Sequence, residues 1–590
     1  MILQALYEYY NILEQAGEIA KPGYAPAQIS YALEISEEGA LTGFYSLREM
    51  PPKGKKEVPR TFTLPSLPDG RTSTAIKPAF LWDKPLYVLG VDEKHDLNFN
   101  QKRFQAFRDL HHEVLHDVQC PAALALLRFL DQWEPSSAQE NPLFADAYEE
   151  LHKGVSVNIT FVMQGGTFLH TYPEVTQAWE RYDGVPSDAP AMQCLLTGEQ
   201  LPIARLHNPI KGIRGGQSMG NILVAFNKGE NAYESYGNKD AQGLNAPVSA
   251  RAAFAYATAL NHLLSNSETR VHMGDTTVVF WAQSPEKAYG QAFSWAMNPS
   301  EEEDKAIFAD IQSMMARAAK GEPVNFTLKL DPDMRFCILG LAPNAARAAV
   351  RFFYMDSFGN IISNLARHFQ DIEIERSPKE FTYLPLWALL DETVSKNDTK
   401  KESRNLLAGA VGRSIIMGIP YPRALFNAVM LRVKAEREIT RGKAAVIKAY
   451  LLRQPNFEHK EECLVSLNKE STNQAYVLGR LFAVLEKAQK DALPGINSTI
   501  KDRYFTSACA APRATFPLLL KLAQHHMAKA EFGNVSQRRV SELLEKLDVE
   551  DNPFPAQLSL ESQGLFVLGY YHQSNENYRS NKKEEENTNV

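Results

Sequence analysis

The sequence is poor in cysteine and contains no long apolar run. Its 590 residues include five cysteines, which are far apart and form no CxxC motif. We therefore expect buried thiols in a reducing cytoplasm rather than a disulfide framework or a cysteine metal site. No stretch of about 18 uninterrupted apolar residues occurs, so no membrane-spanning helix is predicted. The first residues lack the basic flank and cleavage site of a signal peptide, which favours a cytoplasmic protein with no membrane partner.

The chain also lacks an overall basic charge. Its net charge is −7 and its isoelectric point is about 6.1, which does not itself indicate nucleic-acid binding. Residues 396–453, however, carry a local excess of Lys and Arg of +9. This excess indicates an anionic partner, and a solvated surface is the alternative. A second basic group, set among Pro and Gly, consists of Lys53, Lys55, Lys56, Arg60 and Arg71.

The segment His112-Glu113-Val114-Leu115-His116 matches the helix of zinc proteases. Residues four apart share a helix face, so the two imidazoles could bind one metal beside a glutamate base. Zinc catalysis also needs a third protein ligand, and Glu149, Glu150 and His152 are only loose candidates for it. We therefore favour a polar helix face, with a zinc metallopeptidase as the alternative.

The segment Gly216-Gln217-Ser218-Met219-Gly220 matches the nucleophile turn of serine hydrolases. That turn must follow a buried strand and open a helix, whereas here a loop precedes it and a strand-like segment, Ile222–Phe226, follows. A Gly-rich basic turn entering a strand favours close approach to a backbone or a phosphate instead. No Gly-Lys-Ser/Thr ends the run, so no phosphate loop is predicted. We expect a protein without enzymatic activity, metal or cofactor.

Hydrophobic periodicity predicts an α+β protein, in which mixed α/β N-terminal and middle regions precede a C-terminal α-helical bundle. Tyr87–Val91 is predicted to be a strand, and Pro343-Asn344 to open a helix that carries Arg347 and Arg351 on one face. The predicted regions are an N-terminal α/β domain at 1–150 with an exposed basic loop at 51–78, a strand-rich α+β middle domain at 151–378, a basic helical region at 379–470, a helical bundle at 471–573 and a disordered tail at 574–590.

A series of sequence blocks resembles one known family. In chain order the blocks are Met1–Leu6, Thr72–Gly90, Gly216–Asn227, Tyr233–Gly237, Asn245–Pro247, Leu339–Arg347, Leu478–Glu486 and Phe566–Gln573. Together they resemble the large subunit of the type I-C CRISPR surveillance complex, Cascade. Each block alone has little specificity, but the ordered set spans nearly the whole chain.

The resemblance implies a non-catalytic subunit in RNA-guided defence against invading DNA. Such a subunit recognises the protospacer-adjacent motif in double-stranded DNA, promotes R-loop formation and recruits a separate helicase-nuclease. The implied partners are the CRISPR-RNA-loaded Cascade backbone subunits, small-subunit-like helical copies, target double-stranded DNA and the helicase-nuclease. A pure assembly scaffold is the alternative. The bundle from near Gln474 resembles the small subunit, but no Met lies between Met430 and Met527, so a separate product would need a non-AUG start.

The residues expected to contact DNA lie in the basic loop, in the Gly-rich turn and at arginines farther along the chain. The loop would contact phosphates or groove edges, and the turn a groove or the 5′ end of the guide. The arginines would contact the backbone of the displaced strand or of the heteroduplex. The alternative for the loop is a disordered basic segment that only raises non-specific affinity. The alternative for the turn is a requirement of the fold, and that for the arginines is surface solvation. The predicted contacts are Lys53, Lys55, Lys56, Arg60, Arg71, Thr72, Ser73, Lys77, Gly216, Gln217, Ser218, Asn221, Arg347, Arg351, Arg480 and Arg513.

Overall fold

The structure, a computed structural model, shows an α+β protein, as predicted, with 51% helix and 15% strand. The chain divides into two compact units, one formed by Leu3–Asn208 and Val224–Ala259 and the other by Pro209–Leu223 and Leu260–Val590. The domain boundaries predicted from the sequence stay a prediction. The structure describes residues 1–51, 56–68, 71, 75–93, 97–154, 157–182, 190–226, 242–297, 330–377, 380, 383–398, 402–547 and 552–588.

Helices are numbered in chain order through both units, and the boundary between the units falls within α7. The helices are α1 (Ile2–Gln15), α2 (Pro85–Val88), α3 (Leu97–Leu115), α4 (Pro121–Gln132), α5 (Tyr148–Lys153), α6 (Pro173–Tyr182), α7 (Ala250–Ser265), α8 (Ala288–Met297), α9 (Phe358–Ile372), α10 (Leu386–Asp391), α11 (Glu402–Met417), α12 (Arg423–Glu436), α13 (Arg441–Arg453), α14 (Gln474–Ala492), α15 (Ile500–Ala510), α16 (Pro512–Met527), α17 (Gly533–Leu547) and α18 (Leu560–Thr588). Within the described residues, no helix is long and apolar enough to cross a membrane.

The strands form small sheets in both units. The strands are β1 (Tyr24–Ile29), β2 (Tyr31–Ile35), β3 (Leu41–Ser46), β4 (Arg60–Pro65), β5 (Trp82–Asp83), β6 (Ile159–Met163), β7 (Ala191–Gln193), β8 (Gln200–Pro202), β9 (Arg270–Met273), β10 (Thr276–Ala282), β11 (Arg335–Asn344) and β12 (Arg347–Ser357).

The first unit is built on a four-stranded sheet with the order β3-β2-β6-β5. The two central strands, β2 and β6, run parallel, and the outer strands pair antiparallel to them. Leu33 and Phe161 from the central strands pack with Phe107 of α3 and Leu126 of α4 in a fully buried core. Each such side chain contributes about 1.5–3 kcal/mol of hydrophobic stabilisation.

Two elements near the predicted basic loop differ from the sequence predictions. Part of the loop is strand β4, which pairs antiparallel with β1 and buries Leu64 completely. Tyr87–Val91 is not a strand, because Pro85 opens the short helix α2 and Tyr87 and Val88 are buried within it. A short apolar run is compatible with either a buried helix or a buried strand, so periodicity alone does not distinguish them.

The second unit contains the antiparallel sheet β12-β11-β10-β9. Phe280, Phe336 and Ile338 on this sheet join a hydrophobic core that continues into the helices up to Tyr571 of α18. Arg347 and Arg351 lie on strand β12 rather than on the predicted helix. Their spacing of four is compatible with one helix face and with one strand face, and the chain turns back at Ala345, with φ at 50°, to form the β11–β12 hairpin.

The last helix, α18, continues through most of the segment predicted to be disordered from residue 574. Asn577 fixes the first helical turn of this segment. Its side-chain amide donates a hydrogen bond to the Ala483 carbonyl oxygen (3.5 Å) and accepts one from Gln573 (3.1 Å). Composition alone does not show such polar contacts with another helix, and low hydrophobicity therefore predicts disorder for this segment.

Helices α14 and α18 cross at two glycines. A Cβ atom at Gly479 would overlap the carbonyl oxygen of Phe566, and one at Gly569 would overlap that of Tyr476. The close backbone approach lets the apolar faces of both helices bury completely, as Leu478, Leu481 and Leu568 do.

A Gly479→Ala variant should be destabilised by about 3 kcal/mol, because the added methyl group forces two packed helices apart. Gly290→Ala is the matched control. Its Cβ atom would meet neighbours at an ordinary 3.7 Å, and Ala is the better helix former. Thermal unfolding measures both. Equal stability of the Gly479→Ala variant and the wild type would contradict the close crossing.

Buried histidines should make the protein less stable in acid. Burial lowers the pKa of His111, His170, His207 and His572 to about 4 and that of His368 to about 3. In the unfolded chain these groups titrate near 6.5, so below that pH the unfolded state binds more protons than the folded one. We expect the free energy of unfolding to decrease as the pH falls from about 6.5 toward 4.

A His368→Gln variant tests this account, since glutamine can still meet the Tyr421 hydroxyl, which lies 2.6 Å from His368 Nδ1. The dependence of the unfolding free energy on pH should become shallower by about 1.4 kcal/mol per pH unit in this window. Denaturant titrations at several pH values measure it, and an unchanged slope would contradict the assignment.

Candidate nucleic-acid interface

The histidines of the zinc-protease motif do not face a common site. His112 Nε2 lies 2.9 Å from Asp131 Oδ1 on α4, and His116 Nδ1 lies 2.9 Å from the carbonyl oxygen of Glu113. Glu150, a candidate third ligand, forms an ion pair with Arg48. Among the residues described, no group of three potential ligands could hold a metal ion. In the described structure the motif lies on the polar face of α3, where each of the two imidazoles has its own hydrogen-bond partner.

The Gly-rich turn is a surface turn held by one buried asparagine. Asn221 is 1% exposed, and its Oδ1 accepts the Gln217 N–H at 3.3 Å. Its Nδ2 donates to the carbonyl oxygens of Ala345 (2.9 Å) and Arg347 (3.3 Å), which fastens the turn to the β11–β12 hairpin. Asn221, predicted as a DNA contact, thus has a structural role. Gly216 is half-buried in this turn.

The tip of the turn, in contrast, is exposed. Gln217 and Ser218 are exposed, and Met219 is 79% exposed. Residues 222–226, which were expected to form a strand, do not form one. Among them only Ile222 makes a β-bridge, and its partner is Arg347. Ser218 follows neither a strand nor a helix, so the turn presents polar side chains to solvent without the surroundings of a catalytic serine.

Basic residues surround this turn. The Arg214 N–H donates to Thr277 Oγ1 at 3.0 Å, and His272 Nδ1 lies 3.5 Å from the same hydroxyl. Burial, followed by the guanidinium groups of Arg270 and Arg214, lowers the pKa of His272. The two arginines are therefore within electrostatic reach of one imidazole. We call the residues Lys211, Arg214, Arg270, His272 and Arg347 the central basic patch.

Sequence reasoning missed Lys211, Arg214, Arg270 and His272. A signal for two of them was present, because Arg270-Val271-His272 alternates with the period of a strand and so places both basic side chains on one face of β9. Arg351, which was predicted, lies where the β11–β12 register shifts, and it forms a half-exposed ion pair with Asp275 at 3.1 Å. That partner makes it a weaker candidate for phosphate binding.

In the first unit, the predicted contacts separate into exposed residues and one structural residue. Lys56, Arg60 and Lys77 are exposed. Arg71, in contrast, is bound inside the protein and does not present its guanidinium group to DNA. Its Nη2 lies 2.5 Å from Asp83 Oδ1, and its guanidinium stacks 4.7 Å from the centre of the Tyr87 ring. Lys53, Lys55, Thr72 and Ser73 lie outside the described residues.

Asp83 explains the position of Arg71. Its carboxylate is 1% exposed and also accepts the N–H groups of Ala79 (2.8 Å) and Lys84 (2.7 Å). Burial raises the pKa of Asp83, and the Arg71 guanidinium opposes that shift. A buried carboxylate needs such a partner, so the prediction that Arg71 contacts DNA is corrected to an anchoring role for this side chain.

The basic excess of residues 396–453 is partly internal. Lys443, Lys448 and Arg453 on α13 are almost fully buried. Arg453 Nε binds Asp371 at 2.6 Å, Lys443 Nζ binds Glu436 at 2.6 Å, and Lys448 Nζ donates to the last carbonyl groups of α9. These cations stabilise the fold and are not on the surface, so the count of +9 overstates the charge that DNA would meet.

The two predicted arginines of the C-terminal helices differ in the same way. Arg480 is 7% exposed and donates to Gln573 Oε1 (3.2 Å) and to the Asn468 and Lys469 carbonyl oxygens (3.0 and 3.3 Å). It therefore holds a loop, which corrects its prediction as a DNA contact. Arg513 is exposed in the first turn of α16.

A comparison with protein families found one match. The family described as CRISPR-associated protein (Cas_Csd1) matches residues 6–578, nearly the whole chain. A comparison with curated proteins found no match.

Replacing Lys211 and Arg214, the exposed cations beside the Gly-rich turn, together by Ala should weaken binding of the purified chain to duplex DNA about tenfold at low salt, largely independently of sequence. If both side chains contact phosphates, the slope of log affinity against log salt should become shallower by about 2. Arg538→Ala is the matched control, since Arg538 is an exposed arginine on α17 paired with Glu542. Fluorescence anisotropy at several salt concentrations measures the slopes. Equal slopes for wild type and the double variant would remove the patch from the interface.

Proposed function

The chain belongs to the Cas_Csd1 family of CRISPR-associated proteins, and from this premise we propose that it is the non-catalytic large subunit of a type I-C Cascade complex. In this role it recognises the protospacer-adjacent motif in double-stranded DNA, promotes R-loop formation and recruits the helicase-nuclease. Its partners are the CRISPR-RNA-loaded backbone subunits, small-subunit-like helical copies and target DNA, in the cytoplasm. The match over residues 6–578 is the observation that carries this proposal.

The charge distribution supports a role in DNA binding despite the net charge of −7. Basic side chains are exposed at Lys56, Arg60 and Lys77 in one unit and at Lys211, Arg214, His272 and Arg347 of the central basic patch in the other. Arg270 of this patch is half-buried, and its Nη1 donates to the Leu264 carbonyl oxygen at 2.6 Å. Exposed cations release counterions from DNA and give affinity without sequence preference. Sequence preference requires donors held at fixed positions against base edges in a groove.

The energetics of R-loop formation explain why a small number of protein–DNA contacts is enough to favour strand opening. The guide–target heteroduplex is about as stable as the DNA duplex that it replaces, so modest contacts to the flanking motif and to the backbone can decide whether the strands open. We assign motif contact to the first unit, around Lys77. We assign contact with a nucleic-acid backbone to the central basic patch, where Gln217 and Ser218 add uncharged donors.

The test is a gel-shift titration of target duplex DNA with the guide-loaded complex, assembled with and without this chain. The flanking motif is varied at one fixed salt concentration, because affinity depends strongly on salt. We expect tight binding only with both the chain and the correct flank, and a loss of about tenfold or more for each wrong base pair of the motif. Equal binding without the chain, or indifference to the flank, would contradict motif recognition and favour an assembly scaffold.

A further inference from the structure

Buried side chains form hydrogen bonds with the backbone of residues 75–81 at every second residue. The Tyr87 hydroxyl donates to the Ala75 carbonyl oxygen (3.2 Å) and accepts from the N–H of Lys77 (3.2 Å) and from Nη1 of Arg103 (3.1 Å). A phenol has one donor and two acceptor positions, so these three bonds use its full capacity. The Tyr87 ring is itself fully buried.

Asp83 and His111 accept hydrogen bonds from two further N–H groups of this segment. Ala79 donates to Asp83 Oδ2 at 2.8 Å, and Leu81 donates to His111 Nε2 at 2.9 Å. His111 Nδ1 lies 2.7 Å from the Phe107 carbonyl oxygen, so Nδ1 carries the proton and Nε2 accepts. Burial lowers the pKa of His111 to about 4, which keeps the ring neutral and able to accept at neutral pH.

The chain is also strained at this point. Leu81 has a φ of 66°, in the left-handed region that a leucine adopts only at an energetic cost. Its carbonyl oxygen accepts the Thr160 hydroxyl at 3.1 Å, so both of its polar backbone groups are fixed. Backbone strain that the surroundings maintain is often found where a segment must be presented in one conformation.

The side chains presented by this backbone are a cation and an aliphatic group. Lys77 is exposed, and Ile76 is 40% exposed. Both stand on the backbone that the Tyr87 hydroxyl holds at Ala75 and Lys77. A lysine on a flexible loop would contribute affinity without sequence preference, whereas a lysine at a fixed position can distinguish base edges.

We propose that Tyr87, Asp83 and His111 are positioning residues for recognition of duplex DNA. They hold residues 75–81 so that Lys77 meets the flanking motif at a fixed place, with Ile76 beside it. This inference rests on the proposed function. Arg71, four residues before this segment, contacts two of the same supporting residues through its ion pair with Asp83 and its stacking on Tyr87.

Tyr87→Phe tests the inference, because it removes the hydroxyl and leaves the buried ring in place. The guide-loaded complex is titrated with targets carrying the correct or a wrong flank at fixed salt. We expect the ratio of the two affinities to fall about tenfold, while affinity for the wrong flank stays at the wild-type value. Hydrogen exchange of the Lys77 amide should become faster. Tyr10→Phe is the matched control, since Tyr10 is fully buried in the same unit and its hydroxyl donates to the Ala20 carbonyl oxygen at 2.9 Å.

A double variant separates positioning from general damage. Lys77→Ala should lower flank discrimination about as much as Tyr87→Phe. The two together should cause no further loss, since both changes remove the same contact between Lys77 and the flanking motif. Three results would overturn this inference and leave the proposed function intact. They are additive losses in the double variant, wild-type flank discrimination in Tyr87→Phe, and an equal loss in Tyr10→Phe. A wild-type complex without flank discrimination would overturn the proposed function, and this inference with it.

Discussion

A buried charge needs a partner inside the protein, and this requirement decides which basic residues are on the surface for the DNA contact that we propose. Arg71 is held by Asp83, Arg453 by Asp371 and Lys443 by Glu436. Arg480 is held by an amide and two carbonyl oxygens. Breaking such a pair leaves an uncompensated buried charge and costs about 3–5 kcal/mol, so these cations serve the fold. The exposed cations form two smaller groups, one at Lys56, Arg60 and Lys77 and the other at Lys211, Arg214 and Arg347.

The same division applies to the backbone that carries the exposed cations. In one unit Tyr87, Asp83 and His111 hold residues 75–81, and in the other Asn221 holds the Gly-rich turn against the β11–β12 hairpin. Each support is a buried polar group bonded to N–H or carbonyl groups of a surface segment. Such bonds form at low local dielectric and hold the surface segment in one conformation. The sequence-dependent recognition that we propose for a protein of net charge −7 therefore depends on the position of its donors more than on its total charge.

Much of the fold follows from periodicity in the sequence. The α+β class is confirmed, and the apolar residues of α1 and α14 recur at helical spacing and are buried in the structure. The errors arise where a local pattern fits two structures, as for Arg347 and Arg351, whose spacing of four suits a helix or a strand. The internal hydrogen bonds of Arg71 and Arg480 are not predictable from the sequence, because their partners Asp83 and Gln573 lie 12 and 93 residues away. Pairing of that kind depends on the folded chain.

The most direct measurement of the central claim is photocrosslinking from the flanking motif. A photoreactive base is placed at each motif position in target DNA bound to the guide-loaded complex, and the crosslinked peptides are identified by mass spectrometry. We predict crosslinks to this chain within residues 56–83, concentrated around Ile76 and Lys77, which lie on the held segment. Crosslinks confined to another subunit, with none in this chain, would contradict its role as the reader of the motif.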